Sequence, residues 1–305
     1  MTLPVKSLHL RLPATTANLG PGFDALGLAM SIYLTIDAVA ADAFRIDASG
    51  RNADLCGDAD NSLILSTYRS VLAANGQPAV PLHLELENEI PLGMGCGSSA
   101  AALLAGVLLA DYFGDLGWTA QQILEEACHR EGHPDNVAAC YLGGMTASSD
   151  DGTHVITATC GQNLTWNLLI ALPPVSLATE KARALLPPTY SRADAVANVQ
   201  NTALLVSAFA LNRGDLLRRA MQDRIHQPYR MEACPLLPRL LPLAGTAGVL
   251  GVALSGAGPS VLLIAEEAAA ATLPDLVREA AADPDLEIIQ TTIAAGTVVQ
   301  RQQRG

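Results

Sequence analysis

Pro91-Leu92-Gly93-Met94-Gly95-Cys96-Gly97-Ser98-Ser99-Ala100-Ala101 is the stretch on which the reading of this chain turns. Three glycines stand at alternate positions, where a backbone without Cβ atoms comes close to a ligand and turns its N–H groups toward it. Upstream, Leu82, Leu84 and Leu86 alternate with His83, Glu85 and Glu87, the period-two signature of a strand. Downstream, Ser98 to Tyr112 is rich in Ala and Leu, has no Pro and only one Gly, and predicts a helix. The order is therefore strand, Gly-rich loop, helix. The start of such a helix offers unpaired N–H groups and the positive end of its dipole, and two serines there add hydroxyls suited to a phosphate oxygen or a metal. The same residues also fit a plain glycine turn with Ser98 as N-cap, so the loop alone leaves both readings open.

Working outward, Leu8, Leu10 and Leu12 alternate with His9 and Arg11 and predict a strand, followed by a turn-rich stretch from Pro13 to Gly22 and a second strand over Ile32–Val39. Asn18 and Asp24 sit among the glycines of that stretch, where they suit either a small polar ligand or a self-bonded Asx turn. Thr119 with Gln122 reads as a capping box for a helix through His129. Turns cluster at 132–134 and 143–144. Strands are expected over 153–159 and 166–172, and helices over 179–186, 192–211, 214–221 and 268–281. The apolar strands 249–254 and 261–265 are joined by Ser255-Gly256-Ala257-Gly258-Pro259-Ser260, either a tight turn or a second backbone surface against the glycine loop. Strands over 286–299 close the chain. Strands and helices mix without regular βαβ alternation, which predicts an α+β fold. Pro173-Pro174 marks a seam, and we expect two domains, 1–165 and 166–305.

Composition removes several function classes. The 305 residues are half hydrophobic but only 4% aromatic, so a core of Ala, Leu, Val and Ile is expected and disorder throughout is excluded. The net charge of −12 lacks the basic footprint of a nucleic-acid binder. Only Lys6 and Lys181 are lysines; no Gly-rich stretch has the Lys that a Walker A loop places before its Ser/Thr, which excludes a P-loop NTPase. The glycines run G-x-G-x-G rather than G-x-G-x-x-G, which fits a Rossmann dehydrogenase poorly. Six scattered cysteines without C-x-x-C pairs fit a reduced compartment. No signal-like N-terminus is seen, and the longest apolar run, Ala100–Ala110, is short of a membrane span. A cytoplasmic protein is expected.

Taken together, the three glycine-bearing stretches resemble the three motifs of the GHMP small-molecule kinases. The middle motif there reads Pro-x-x-x-Gly-Leu-Gly-Ser-Ser-Ala-Ala, matched here except for Cys96 in place of Leu, and the resemblance spans nearly the whole chain. Within that superfamily the chain is most similar to the homoserine kinase family. Pro13–Asp24 carries that likeness, as do Glu131-Gly132-His133-Pro134-Asp135-Asn136-Val137, Asp223-Arg224-Ile225-His226-Gln227-Pro228-Tyr229-Arg230 and Thr179-Glu180-Lys181-Ala182-Arg183. The resemblance implies a two-domain fold, with an N-terminal ribosomal-protein-S5-like β-α domain that binds ATP and a C-terminal ferredoxin-like α+β domain. It implies transfer of the γ-phosphoryl of MgATP to the hydroxyl of L-homoserine, on the route to threonine, and a homodimer. Another kinase of the superfamily, acting on mevalonate or a sugar, and a non-catalytic nucleotide or metabolite sensor are the other readings.

The resemblance also implies roles. Residues 91–101 would wrap the ATP phosphates, with Ser98 on a phosphate and Ser99 on Mg2+. Glu125, with Glu126 as its rival, would be the carboxylate ligand of the metal. Arg183 and Arg230 suit the substrate carboxylate, because a guanidinium binds one through two parallel hydrogen bonds. Asp24 suits the ammonium; Asn18, His133, Asn136 and Thr179 would complete the pocket. Asn18, Asp24 and Asn136 are the residues expected nearest the chemistry. An amide such as Asn136 takes up no proton at neutral pH, so positioning and charge stabilisation are expected to dominate over general-base catalysis, with Asp24 and Asp135 as the carboxylates that could serve as a base.

Overall fold

The computed structural model describes residues 5–304. Strand β1 (Val5–Ala17) is longer than its Leu8–Leu12 alternation predicts. The expected turn at Pro13 is a register shift between Pro13 and Ala14, after which Ala14–Ala17 pairs with Met30–Gly27 of β2 (Leu26–Ala40). A bulge beside a residue that cannot donate lets the strand continue, so the turn starts only at Asn18. Strand β3 (Arg45–Gly50) runs parallel to β4 (Leu82–Asn88), whose Leu82, Leu84 and Leu86 all face inward. Strands β5 (Met145–Asp150) and β6 (Val155–Cys160) form a hairpin attached to the first part of β2.

On the inner side of this sheet lie α1 (Ala53–Cys56), α2 (Leu63–Ala74), α3 (Ser98–Phe113), α4 (Ala120–Glu131) and α5 (Pro134–Leu142). The Ala/Leu run of α3 is apolar on every side and is buried on almost every side, between β1, α2, α4 and α5. The capping box at Thr119 and Gln122 forms as read, and α4 runs to Glu131, two residues past His129. Pro134, read as part of a turn, instead occupies the first position of α5, where its missing N–H costs nothing.

The second sheet has the order β10-β7-β9-β8, all antiparallel, from β7 (Asn167–Leu172), β8 (Val249–Leu254), β9 (Val261–Ala265) and β10 (Glu287–Thr292). Strands β7 and β9 are apolar at successive positions because both faces are covered. Leu168, Ile170, Leu262 and Ile264 join the first core; Leu169, Ala171, Val261 and Leu263 join a second core. Between the strands come α6 (Thr179–Ala184), α7 (Arg192–Ala210), α8 (Leu217–Ala220), α9 (Gln227–Arg230), α10 (Leu236–Leu240) and α11 (Leu273–Ala281). The helix expected from Ala268 starts at Leu273, with Pro274 in its first turn. Strand β11 (Val298–Arg304), at the far end of the expected second domain, returns to pair with β1 in the first sheet. The architecture is α+β, and among the described residues no helix is long and apolar enough to cross a membrane.

Candidate active site

Gly93, Gly95 and Gly97 all have positive φ, 69°, 73° and 69°. Gly97, not Ser98, is the N-cap of α3, and no side chain caps it. The first-turn N–H groups of α3 therefore have no partner within the helix. A Cβ at Gly97 would collide with Thr15 Oγ1, and one at Gly95 with the Ser255 carbonyl oxygen. These collisions measure how closely three distant stretches approach. Thr15 N donates to Cys96 O at 3.1 Å, Ser255 Oγ lies 2.7 Å from Gly95 O, and Asn18 Nδ2 donates to Gly256 O at 2.9 Å. The Ser255–Ser260 hairpin thus packs against the glycine loop. Pro91, Met94, Ala100 and Ala101 do not line the cavity; Ala100 and Ala101 pack in the core below it.

The loop lines a cavity of about 160 Å³. Polar and charged side chains of the other motifs line the same cavity. Asp24 and Arg183, from the turn after β1 and from α6, form a bidentate pair at 2.9 and 2.6 Å, which pushes the Arg183 guanidinium up. Arg230 is buried, donating from Nε to Ala182 O at 3.2 Å and from Nη1 to His226 Nδ1 at 3.1 Å. Burial and the charge of Arg183 both lower its pKa. Both guanidinium groups stand over the ring of Phe23, at 5.4 and 5.7 Å. Asn18, with φ 69°, accepts from the Asp24 backbone N–H at 3.0 Å, so it builds the turn that presents Asp24 as well as lining the cavity. Thr179 opens α6 at the cavity wall.

The first turn of α5 supplies the third wall. Asp135, buried, accepts at Oδ1 from Asn136 N at 2.7 Å and Asn136 Nδ2 at 3.2 Å, and pairs with His133 Nδ1 at 2.6 Å. Thr15 Oγ1 donates to Asn136 Oδ1 at 2.8 Å, which fixes the amide's orientation. Burial alone would lower the His133 pKa, but its bond to Asp135 and the charges of Asp135, Glu131 and Asp24 raise it.

Glu131, which the sequence reading does not assign to a metal, is the carboxylate that meets Ser99. Ser99 Oγ donates to Glu131 Oε2 at 3.2 Å, and burial pushes the Glu131 carboxyl up against the attraction of His133. The expected pairing of Ser99 with Glu125 is corrected. Glu125 lies off the cavity, bonded to Gln121 Nε2 at 2.9 Å and to His154 Nδ1 at 3.3 Å, and Glu126 pairs with Arg130 at 2.6 Å. The C-terminal end of α4, not its middle, abuts the start of α3. A second cavity, about 290 Å³ and mainly apolar, adjoins Ser98 and Ser99 and is walled by Leu55, Cys56, Ile64, Leu86, Ile90 and Leu92. Its signal was in the sequence: Ser62 is an N-cap before Ile64, Leu65, Tyr68, Val71 and Leu72 at helical spacing.

The family models agree with this architecture. The model of the GHMP kinases N terminal domain matches residues 62–144, and that of the GHMP kinases C terminal matches residues 205–282. The homoserine kinase of Solibacter usitatus is 48% identical over 259 residues, 85% of each chain. That of Desulfitobacterium hafniense is 42% identical over 258 residues, 84% of this chain and 86% of its own. The solved structure of a putative homoserine kinase from Listeria monocytogenes superposes with a TM-score of 0.79 at 29% identity, covering 97% of this chain and all of that one. With its three motifs folded around one cavity and matches of this extent, the chain belongs to the homoserine kinase family of the GHMP kinases.

Proposed function

We propose that the chain transfers the γ-phosphoryl group of MgATP to the hydroxyl of L-homoserine, giving O-phospho-L-homoserine for threonine biosynthesis. The observation that carries this is the lining of one cavity. A glycine loop that opens the uncapped N-terminus of α3 shares its wall with two guanidinium groups and a carboxylate. Phosphates suit the glycine loop, held by backbone N–H groups of residues 93–99. The apolar cavity next to Ser98 and Ser99 suits the adenine base. The substrate carboxylate suits Arg230 and Arg183, and its ammonium suits Asp24.

Ser99 and Glu131 present a hydroxyl and a carboxylate side by side, an oxygen donor set fit for Mg2+. When bound there, the ion would neutralise phosphate charge. His133, Asn136 and Thr179 would orient the substrate hydroxyl. Asp135 already accepts from several donors and Asp24 is paired with Arg183, so neither carboxylate is free to take the hydroxyl proton. On this reading the proton leaves to a phosphate oxygen or water, and placement and charge stabilisation carry the rate. A cytoplasmic setting accords with six cysteines that are all free thiols.

The test is ADP release over L-homoserine, mevalonate, galactose and shikimate, with and without magnesium. Homoserine is expected to give the highest kcat/KM, and only with the metal. A higher kcat/KM for any other alcohol would overturn the substrate assignment; ATP binding by calorimetry with no turnover would favour a sensor.

A further inference from the structure

His226 lies in the Asp223–Arg230 stretch and is fully buried, yet it touches no part of the cavity. Its two ring nitrogens face groups of opposite character. Nε2 is 2.7 Å from the carbonyl oxygen of Gly20, which only accepts. Nδ1 is 3.1 Å from Nη1 of Arg230, and a guanidinium only donates. The ring must therefore donate from Nε2 and accept at Nδ1. An imidazolium, or the other tautomer, would set N–H against N–H inside the core. Burial and the charge of Arg230 depress the His226 pKa, in the same sense, and outweigh the pull of Asp24 and of Asp223, whose Oδ2 lies 3.7 Å from Nε2.

Arg230 is thereby held on two sides. Its Nε is committed to Ala182 of α6 and its Nη1 to His226, while Nη2 has no protein partner among the described residues. The turn that carries His226 is itself pinned, because Asp223 Oδ2 accepts from the backbone N–H groups of His226 and Gln227 at 2.8 and 2.6 Å. Phe23 packs its ring on His226 at 5.4 Å and lies under both arginines. Through one imidazole, the turn that presents Asp24 is linked to the guanidinium of Arg230.

We propose that His226 is a positioning residue: a neutral imidazole, protonated at Nε2, that aims Arg230 at the substrate carboxylate and ties it to the Gly20–Asp24 turn. This rests on the reading of Arg230 as a carboxylate ligand.

Two variants separate the two bonds. In His226→Asn the amide oxygen takes the place of Nδ1 and still accepts from Arg230. In His226→Gln the amide nitrogen takes the place of Nε2 and still donates to Gly20, leaving Arg230 without its acceptor. His226→Gln is expected to raise the KM for L-homoserine roughly 10- to 100-fold, the loss of one hydrogen bond to a charged group, with the KM for ATP unchanged. His226→Asn is expected to stay within about threefold of the parent in both. Thermal melts check that each variant is folded before its KM values are compared. Equal effects of the two variants, or a rise in both KM values together, would overturn the proposal. Independently of any variant's folding, a long-range 1H–15N spectrum of the 15N-histidine-labelled parent should show a protonated Nε2 and a bare Nδ1 for His226. The opposite tautomer or an imidazolium would overturn it. Arg230→Lys, run alongside, tests the underlying reading: an unchanged homoserine KM removes the carboxylate role, while the spectrum still decides the hydrogen bonds.

Discussion

Replacing Gly97 with alanine tests whether the glycine loop is held by Thr15. Gly97 has φ 69°, and an alanine in that left-handed conformation costs about 1–2 kcal/mol. The new Cβ would also strike Thr15 Oγ1, which lies in a fully buried residue and donates to Asn136 Oδ1 at 2.8 Å. Turning that hydroxyl away breaks the bond and strands a buried polar group, a further cost of about 1–3 kcal/mol. The sum predicts a loss of about 2–5 kcal/mol in equilibrium urea unfolding followed by circular dichroism. In a Thr15→Ala background the hydroxyl is already gone, so Gly97→Ala should then cost the backbone strain, about 1–2 kcal/mol, and the milder crowding against the residue-15 Cβ at 3.1 Å and Asn136 Oδ1 at 3.2 Å, which both backgrounds share. The double-mutant cycle is therefore expected to show a coupling of roughly 1–3 kcal/mol. Costs that add within about 0.5 kcal/mol would refute the contact.

Three further outcomes follow from the same geometry. Glu131→Gln should lower kcat/KM for MgATP at least roughly 100-fold and raise the magnesium requirement, since even partners one step removed from a metal cost ~10–100-fold. Glu125→Gln should stay within about twofold in the same magnesium titration, because Glu125 lies off the cavity, bonded to Gln121 and His154. Burial raises the Glu131 carboxyl above its unfolded value of 4.5, so the folded chain holds a proton the unfolded chain has lost, and stability falls as pH rises through that interval. Without metal, Glu131→Gln should then melt above the parent near about pH 7 and with it below about pH 4, in thermal melts across pH. Asp24→Asn removes a half-exposed ion pair with Arg183, so stability should change by only about 0–1 kcal/mol while the homoserine KM rises roughly tenfold or more. A large kcat loss with KM unchanged would instead make Asp24 a base.

The fold was legible where the pattern was strong and local. The Leu82–Leu86 alternation, the Ala/Leu run of α3 and the Thr119 capping box each depend on neighbours within a few residues. What was missed depends on tertiary contacts. The polar β5 shows little apolar alternation over Thr146–Asp150; it becomes a strand by pairing with β2 and β6. The short β3 gains its place from a parallel pairing that no local pattern announces. In the site, the residues of the named motifs converge as far as Arg230, but the carboxylate beside Ser99 was misread. Glu125 and Glu126 look like the polar face of a helix, and they are; Glu131 reads as the end of that helix, and only the packing of that end on α3 makes it matter.

The charge arithmetic leads to the same asymmetry. A chain of net charge −12 that handles an anionic cosubstrate has to hold phosphate through groups that net charge does not count. Backbone N–H groups at the start of α3 are such groups, and no lysine is needed in the loop. In the same cavity the site keeps its own charges balanced by pairing Arg183 with Asp24. On the proposed reading a zwitterionic substrate divides that pair and replaces it with two, its carboxylate on the arginines and its ammonium on Asp24. Both protein charges stay compensated throughout. A hydroxy acid without an ammonium would draw Arg183 away and leave Asp24 facing the cavity with no partner, at the cost of an uncompensated charge. Discrimination against mevalonate then needs no steric wall, and Asp24→Asn should narrow the preference for homoserine over mevalonate in kcat/KM. If Asp24→Asn left that ratio unchanged, the ion pair would have no part in selecting the substrate.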